Sequence, residues 1–129
     1  MKQLQIALLV SLLGLLLPGC IKEQRMTAEA MMRGKNWFLE KKTSAGVNFI
    51  SNGAATYSFT LNPNGTYTDS DGISGSYSIT QQSNTISLTI TSTARVITAY
   101  TVKHVGTRHL VLEYGTTTTL TRLYFSSRQ

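Results

Sequence analysis

The side chains most often used in catalysis are scarce in this 129-residue chain, which has two histidines, one cysteine and six acidic residues. His104 and His109 flank a turn at Gly106 and could meet across a hairpin, but two histidines without a third ligand seldom hold a metal ion. The segment Asp69-Ser70-Asp71-Gly72 lacks the further acidic ligands of a calcium loop, so it predicts a plain turn. The serines are not accompanied by a nucleophile-elbow motif. We therefore predict no catalytic residue, no metal site and no cofactor, and a protein that is not an enzyme.

Cys20 is the one residue whose surroundings indicate a specific chemistry. Lys2 is followed by an apolar run over residues 6–17, which is too short for the roughly 20 residues of a membrane-spanning helix but suits the ~7–15 of a secretory signal. The residues Leu17-Pro18-Gly19-Cys20 then resemble a bacterial lipobox. This resemblance implies that residues 1–19 are a lipoprotein signal peptide. It also implies that Cys20 becomes the acylated first residue, with palmitate as a typical acyl chain.

The lipobox resemblance also implies a location. Ile21, rather than Asp, follows the cysteine, which resembles sorting to the outer membrane of a bacterial cell envelope. The alternative is ordinary secretion with cleavage elsewhere and a free thiol. With a single cysteine, no intramolecular disulfide is possible. Removing residues 1–19 leaves 110 residues, the size of one small domain.

The net charge of +6 does not indicate nucleic-acid binding. Such proteins concentrate cations in a stripe with stacking aromatic rings, whereas the longest basic run here is Lys41-Lys42. Several cations fall within residues 20–42, close to the predicted anchor, where each can gain roughly 1 kcal/mol beside anionic lipid head groups. We expect a membrane partner and no nucleic acid.

Residues 20–33 are predicted to form a polar tether and a short helix. Thr27 suits the N-cap, Glu29 suits the first turn, and Arg33 followed by Gly34 suits the end. The apolar face of this helix is expected to contain Met26, Ala30 and Met31. Because methionine fills irregular gaps, we predict a lid over one end of the domain, with a Met-rich contact surface as the alternative.

From residue 34 to residue 129 the apolar positions alternate with period two, which predicts β-strands. The clearest strand has Ile86, Leu88 and Ile90 on one face, and a second segment has Val96, Thr98, Tyr100 and Val102 on one face. Turn sequences such as Asn62-Pro63-Asn64-Gly65 separate the segments every 8–12 residues or so. Eight strands with one apolar face each can bury that face by curling into a closed ring. The predicted fold is all-β: a small eight-stranded antiparallel up-and-down barrel with a short N-terminal helix.

Several of these features together resemble a bacterial lipocalin-like domain, over roughly residues 34–126. They are the short helix, Gly34-Lys35-Asn36-Trp37 at the start of the first strand, the segment from Phe59 to Tyr67, and Arg122 in the last strand. The resemblance implies a lipocalin-like barrel in which Arg122 packs against Trp37 at the closed end through a cation–π contact of about 0.5–2 kcal/mol. For the last strand, the pattern leaves the inward face undecided.

Aromatic residues on the predicted inner face are the candidate ligand-binding lining: Tyr57, Phe59, Tyr67, Tyr77, Tyr100 and Tyr114. They could fill the lumen, or they could line an apolar pocket with hydroxyl groups that orient a ligand. Two functions follow. The first is a lipid-anchored envelope protein of lipocalin-like fold that binds a small apolar molecule. The alternative is a protein-interaction or inhibitor module of the envelope with a filled barrel and no small-molecule ligand.

Overall fold

A computed structural model describes residues 27–50 and 57–128. The predictions on the signal peptide, Cys20 and Met26 lie outside these residues. Within them the chain forms one short helix and nine strands. Their bounds are α1 (Ala28–Met32), β1 (Asn36–Ser44), β2 (Val47–Ile50), β3 (Ser58–Leu61), β4 (Thr66–Asp69), β5 (Ser74–Gln82), β6 (Thr85–Thr91), β7 (Ala99–Val105), β8 (His109–Tyr114) and β9 (Thr121–Ser127).

The strands form one closed antiparallel barrel, which confirms the predicted fold class. From β3 to β9 each strand pairs with the next, and β9 pairs back with β1. The barrel has eight strand positions although the described residues form nine strands, because β2 and β3 lie along the same edge of β1. Residues 41–44 of β1 pair with β2, and residues 36–38 pair with β3. The second strand position is therefore occupied by two separate segments.

The alternating apolar residues face the interior, as the period-two pattern predicts. The buried core contains Trp37, Phe59, Leu61, Tyr67, Leu88, Ile90, Tyr100, Val102, Leu110, Leu112 and Phe125. In β9, Thr121 and Phe125 are buried and Leu123 packs against the core, whereas Arg122 is exposed. The inward face of the last strand, which the sequence left undecided, is therefore the face of Thr121, Leu123 and Phe125.

Helix α1 closes one end of the barrel, as the lid prediction requires. The Thr27 hydroxyl caps the helix by accepting a hydrogen bond from the Ala30 N–H at 3.2 Å. Met32 is fully buried, and its carbonyl accepts a hydrogen bond from the Trp37 indole N–H at 2.8 Å. The predicted face is wrong, however: Ala28 and Met32 are the buried residues of α1. A spacing of four residues places these two side chains on the same face of the helix.

A β-bulge in β1 changes which lysine points inward. Leu39 pairs with Phe125 and Lys41 pairs with Tyr124. Glu40 is therefore an extra residue in β1 that has no partner in β9. An extra residue in a strand moves every later side chain to the opposite face of the sheet. Lys41 therefore lies outside, with its Nζ 5.3 Å from the centre of the Tyr124 ring. Lys42, opposite the inward-facing Leu123, faces the barrel interior.

The segment between β6 and β7 is longer than the alternation predicts. Val96 and Thr98 were expected in the strand of Tyr100, but β7 begins at Ala99 and residues 92–98 form a loop. Val96 is 98% exposed, so its predicted position on the inner face is wrong.

Of the residues that the structure describes, none belongs to a helix long and apolar enough to cross a membrane.

Candidate mouth pocket

The end of the barrel opposite α1 contains an open pocket of about 330 Å³, which we call the mouth pocket. Loop 92–98 lies along one side of it, and the turn between β4 and β5 contributes Ile73. The complete lining is Leu39, Lys42, Tyr57, Ile73, Ala94, Arg95, Val96, Ile97, Tyr100, Tyr114 and Leu123. Apolar walls with a few polar groups are the usual composition of a small-molecule site.

Four polar side chains, which we call the polar chain, extend from this pocket into the barrel: Arg95, Tyr57, Tyr67 and Asp69. Arg95 Nη2 donates a hydrogen bond to Tyr57 Oη at 2.6 Å. The hydroxyl oxygens of Tyr57 and Tyr67 are 2.5 Å apart, and Tyr67 Oη is 2.7 Å from Asp69 Oδ2. An ionised carboxylate can only accept, so Tyr67 donates to Asp69 and accepts from Tyr57. Each donor in the polar chain therefore points from the arginine towards the aspartate.

Asp69 is the buried end of the polar chain, and both of its oxygens are occupied. Its side chain is 0% exposed. Oδ1 accepts hydrogen bonds from the backbone N–H groups of Asp71 and Ile73, each at 3.0 Å. Oδ2 accepts from Tyr67 and lies 3.7 Å from Arg95 Nη2. Burial by itself raises the pKa of Asp69, but the hydrogen bonds from Tyr67 and Ile73 and the charge of Arg95 together lower that pKa below its ordinary value.

The two tyrosines of the polar chain are held in their neutral form. Burial raises the pKa of Tyr57 to about 12, although its hydrogen bond with Tyr67 and the charge of Arg95 act in the opposite direction. Burial and the hydrogen bonds to Tyr57 and Asp69 raise the pKa of Tyr67 as well. A phenol of this kind is a hydrogen-bond donor at neutral pH and not a nucleophile or a base. The polar chain can therefore orient groups but has no group poised to exchange a proton near neutral pH.

The six candidate lining residues are divided between three environments. Tyr57, Tyr100 and Tyr114 line the mouth pocket. Phe59 and Tyr67 are buried in the packed core beneath it, at 3% and 0% exposure. The side chain of Tyr77 is directed to the closed end, where its hydroxyl donates to the Asn62 carbonyl at 2.9 Å. The lower lumen is thus filled by side chains, and three of the six residues border the open pocket.

The expected contact between Arg122 and Trp37 is wrong. Arg122 lies on the outer face, where its Nε is 2.6 Å from Glu113 Oε2. Trp37 is opposite Ser127 in β9, five residues from Arg122, a separation of about 17 Å at ~3.3 Å per residue. The cation near Trp37 is Lys35, whose Nζ is 5.5 Å from the centre of the ring.

The three charged residues of the site were not identified from the sequence: Lys42, Asp69 and Arg95. Asp69 could have been found, because it lies two residues after Tyr67 and therefore shares its inward face. Lys42 faces inward only because of the bulge at Glu40. Arg95 is in loop 92–98, where the alternation of Val96 and Thr98 with Tyr100 had predicted a strand.

The other candidate sites offer fewer groups that could bind or orient a ligand. His104 and His109 are both exposed. Within residues 27–50 and 57–128, no group of three or more His, Cys, Asp or Glu side chains could hold a metal ion. A larger recess of about 610 Å³ lies at the rim between the β1–β2 turn and the β8–β9 loop, but threonine, asparagine and glycine form much of its surface.

The mouth pocket therefore combines apolar walls, neutral phenols and two cations above a filled lumen. This arrangement can hold and orient a small molecule. Comparisons of the chain with protein-family models, with curated proteins and with solved structures found no match.

Proposed function

We propose that this protein is a non-enzymatic, lipid-anchored binding protein of a bacterial cell envelope, and that it holds a small, largely apolar molecule in the mouth pocket. The observation that carries the proposal is the open volume of about 330 Å³ at the barrel mouth. An eight-stranded barrel has room for side chains or for one small ligand. Here side chains fill the lower lumen and leave the upper part open.

The walls of the pocket support an apolar ligand. Leu39, Ile97 and Leu123 line it together with the rings of Tyr100 and Tyr114, whose centres are 5.7 Å apart in an edge-to-face arrangement. Burying apolar ligand surface against such walls gains roughly 25 cal/mol per Å². The neutral phenol groups can then fix the orientation of any polar atoms.

The anchor is supported by the residues that precede Cys20, which resemble a lipobox. It is tested by mass spectrometry of the N-terminal peptide of the protein purified from a bacterial membrane fraction. The expected result is a peptide that begins at Cys20 and carries fatty acyl groups. A peptide that begins elsewhere, or an unmodified thiol, contradicts the anchor but leaves the pocket unaffected.

The ligand is tested by native mass spectrometry of the acylated protein purified from its producing cells. We expect one bound molecule of lipid-like mass per chain, and we expect an Ile97→Trp variant, which fills the pocket from its loop, to lose it. Thr80→Trp, at an exposed position of β5, is the matched control and should retain the ligand. Equal occupancy in both variants would place the ligand elsewhere, and an empty wild-type protein would contradict the proposal.

A second candidate is the interaction module, and one observation favours it. Val47 and Phe49 of β2 are each 54% exposed. Large apolar side chains that remain exposed can contact another protein. A stoichiometric envelope protein recovered with the wild-type chain but lost with Phe49→Ser, together with an empty mouth pocket, would support this function instead.

A further inference from the structure

The mouth pocket carries an excess of positive charge. Of the residues that line it, Lys42 and Arg95 are cationic and none is acidic. Within residues 27–50 and 57–128, the one carboxylate within 4 Å of either cation is that of Asp69, whose side chain is 0% exposed and lies 3.7 Å from Arg95 Nη2. One aspartate offsets one of the two cations, so that a charge of +1 remains at the mouth.

Asp69 is not available to a cationic ligand. Two backbone N–H groups occupy its Oδ1, and its Oδ2 accepts from Tyr67. Because its side chain has no exposed surface, a cation in the pocket would gain little from it. One face of Tyr57 and one face of Tyr67 also lie near the Arg95 guanidinium, whose Cζ is 5.3 and 5.5 Å from the two ring centres.

The two cations, in contrast, retain donors. An arginine has five N–H donors, and the structure records a side-chain hydrogen bond from one nitrogen of Arg95, to Tyr57. The Arg95 side chain is 15% exposed, at the pocket surface. Lys42 has no ion-pair partner within residues 27–50 and 57–128. Both side chains can therefore donate to an anionic group within the pocket.

We propose that the mouth pocket selects an amphiphile with a single anionic head group, which Lys42 and the unoccupied edge of the Arg95 guanidinium bind while the apolar walls bind its tail. This inference rests on the proposed function and names the chemical class of its ligand. The +1 charge matches one anionic group. Hydrogen bonds between ionised partners are about twice as strong as neutral ones, so the head group decides between ligands of equal tail length.

Three probes with the same ten-carbon tail test the inference: decanoate, decanol and decyltrimethylammonium. The acylated protein is placed in phosphatidylcholine nanodiscs, and each probe is titrated against bound N-phenyl-1-naphthylamine, a neutral apolar fluorophore. The Ile97→Trp protein, in identical nanodiscs, supplies the signal due to lipid alone. We expect decanoate to displace the fluorophore at roughly tenfold lower concentration than decanol, equivalent to about 1.4 kcal/mol, and decyltrimethylammonium to be the weakest.

Lys41 and Lys42 provide a matched pair of variants, because the bulge at Glu40 directs them to opposite faces. Lys42→Gln and Lys41→Gln remove the same charge from adjacent positions. We expect Lys42→Gln to reduce the preference for decanoate over decanol several-fold and Lys41→Gln to preserve it. Circular dichroism confirms that each variant is folded.

The outcomes separate the inference from the function on which it rests. If the fluorophore signal does not exceed that of Ile97→Trp, the proposed function fails. If decanol or decyltrimethylammonium displaces the fluorophore as well as decanoate does, the binding function stands and the inference is overturned. Equal effects of the two lysine variants would also overturn it, because they would show that the preference comes from the charge of the whole protein.

Discussion

Replacing Tyr67 by Phe removes one hydroxyl group from the middle of the polar chain and leaves the buried ring in place. That hydroxyl donates to Asp69 at 2.7 Å and accepts from Tyr57 at 2.5 Å. A hydrogen bond to a charged group contributes roughly 1.5–3 kcal/mol to stability. The Tyr57 hydroxyl already lies 3.3 Å from Asp69 Oδ2 and can recover part of this loss. We therefore expect Tyr67→Phe to reduce the free energy of unfolding by about 2 kcal/mol.

For a domain of this size, each kcal/mol corresponds to roughly 4–8 °C in Tm, so Tyr67→Phe should melt about 8–16 °C below the wild-type protein. The assay is thermal and denaturant unfolding followed by circular dichroism, with an unchanged denaturant slope as evidence that two-state unfolding persists. Tyr100→Phe is the matched control. Its hydroxyl donates to the neutral Ile97 carbonyl at 3.3 Å, so its loss should cost only about 0.5–1 kcal/mol.

A double-mutant cycle with Asp69→Asn tests the reason for the loss as well as its size. If Tyr67 stabilises the fold through the carboxylate, Tyr67→Phe should cost much less when Asp69→Asn is already present. Two results would refute the reasoning. One is a Tyr67→Phe protein no less stable than Tyr100→Phe, and the other is a cost that is the same in both backgrounds.

Three further predictions concern pH and backbone packing. Because the folded-state pKa of Asp69 is lowered, its contribution is present above the unfolded pKa of about 3.9 and is lost as pH falls through the folded value; acid unfolding curves should therefore be flatter for Asp69→Asn. The pKa of Tyr57 is instead raised, to about 12, so its effect on stability has the opposite pH dependence. Its contribution to the free energy of unfolding is complete below pH ~10 and is lost as pH rises towards 12. An ultraviolet titration should show this late ionisation, and Tyr57→Phe should remove it. At Gly75 an added Cβ would lie 2.3 Å from the Thr91 carbonyl oxygen, so Gly75→Ala should force β5 and β6 apart and lower stability by about 1–3 kcal/mol in denaturant melts.

Much of the fold follows from local sequence patterns. Alternation identified the strand with Leu88 and Ile90 on its buried face, and Thr27 identified the start of α1. The turn at Asn62-Pro63-Asn64-Gly65 formed as expected, with Gly65 at a φ of 86°. Each of these features is decided by a few adjacent residues, which is why one sequence was enough to predict them.

The candidate site was less predictable because its residues depend on distant strands. The bulge at Glu40 is defined by how β1 pairs with β9, more than 80 residues later. A shift by one residue exchanged Lys41 for Lys42 on the inner face, which local alternation could not show. The predicted position of Arg122 was wrong for a related reason. Its contact with Trp37 was inferred from a family resemblance, whereas the register between β8 and β9 places Arg122 opposite Glu113.

The polar chain makes most sense as a device that positions loop 92–98. Buried ionic and polar groups seldom stabilise a fold more than apolar side chains of the same volume, since desolvation offsets much of their attraction. They do restrict the geometries that satisfy every donor and acceptor. The C-terminal end of the loop is held by Ile90, whose N–H donates to the Thr98 carbonyl at 2.7 Å. Arg95 donates to Tyr57 at 2.6 Å, so this contact adds an attachment in the middle of the loop and helps to fix where the loop lies above the barrel. Ala94, Val96 and Ile97 form part of the pocket wall as a result. Under the proposed function, the same arginine would shape the pocket through one edge of its guanidinium and offer its remaining donors to an anionic head group. A probe without that head group should then bind more weakly although its tail fits equally well.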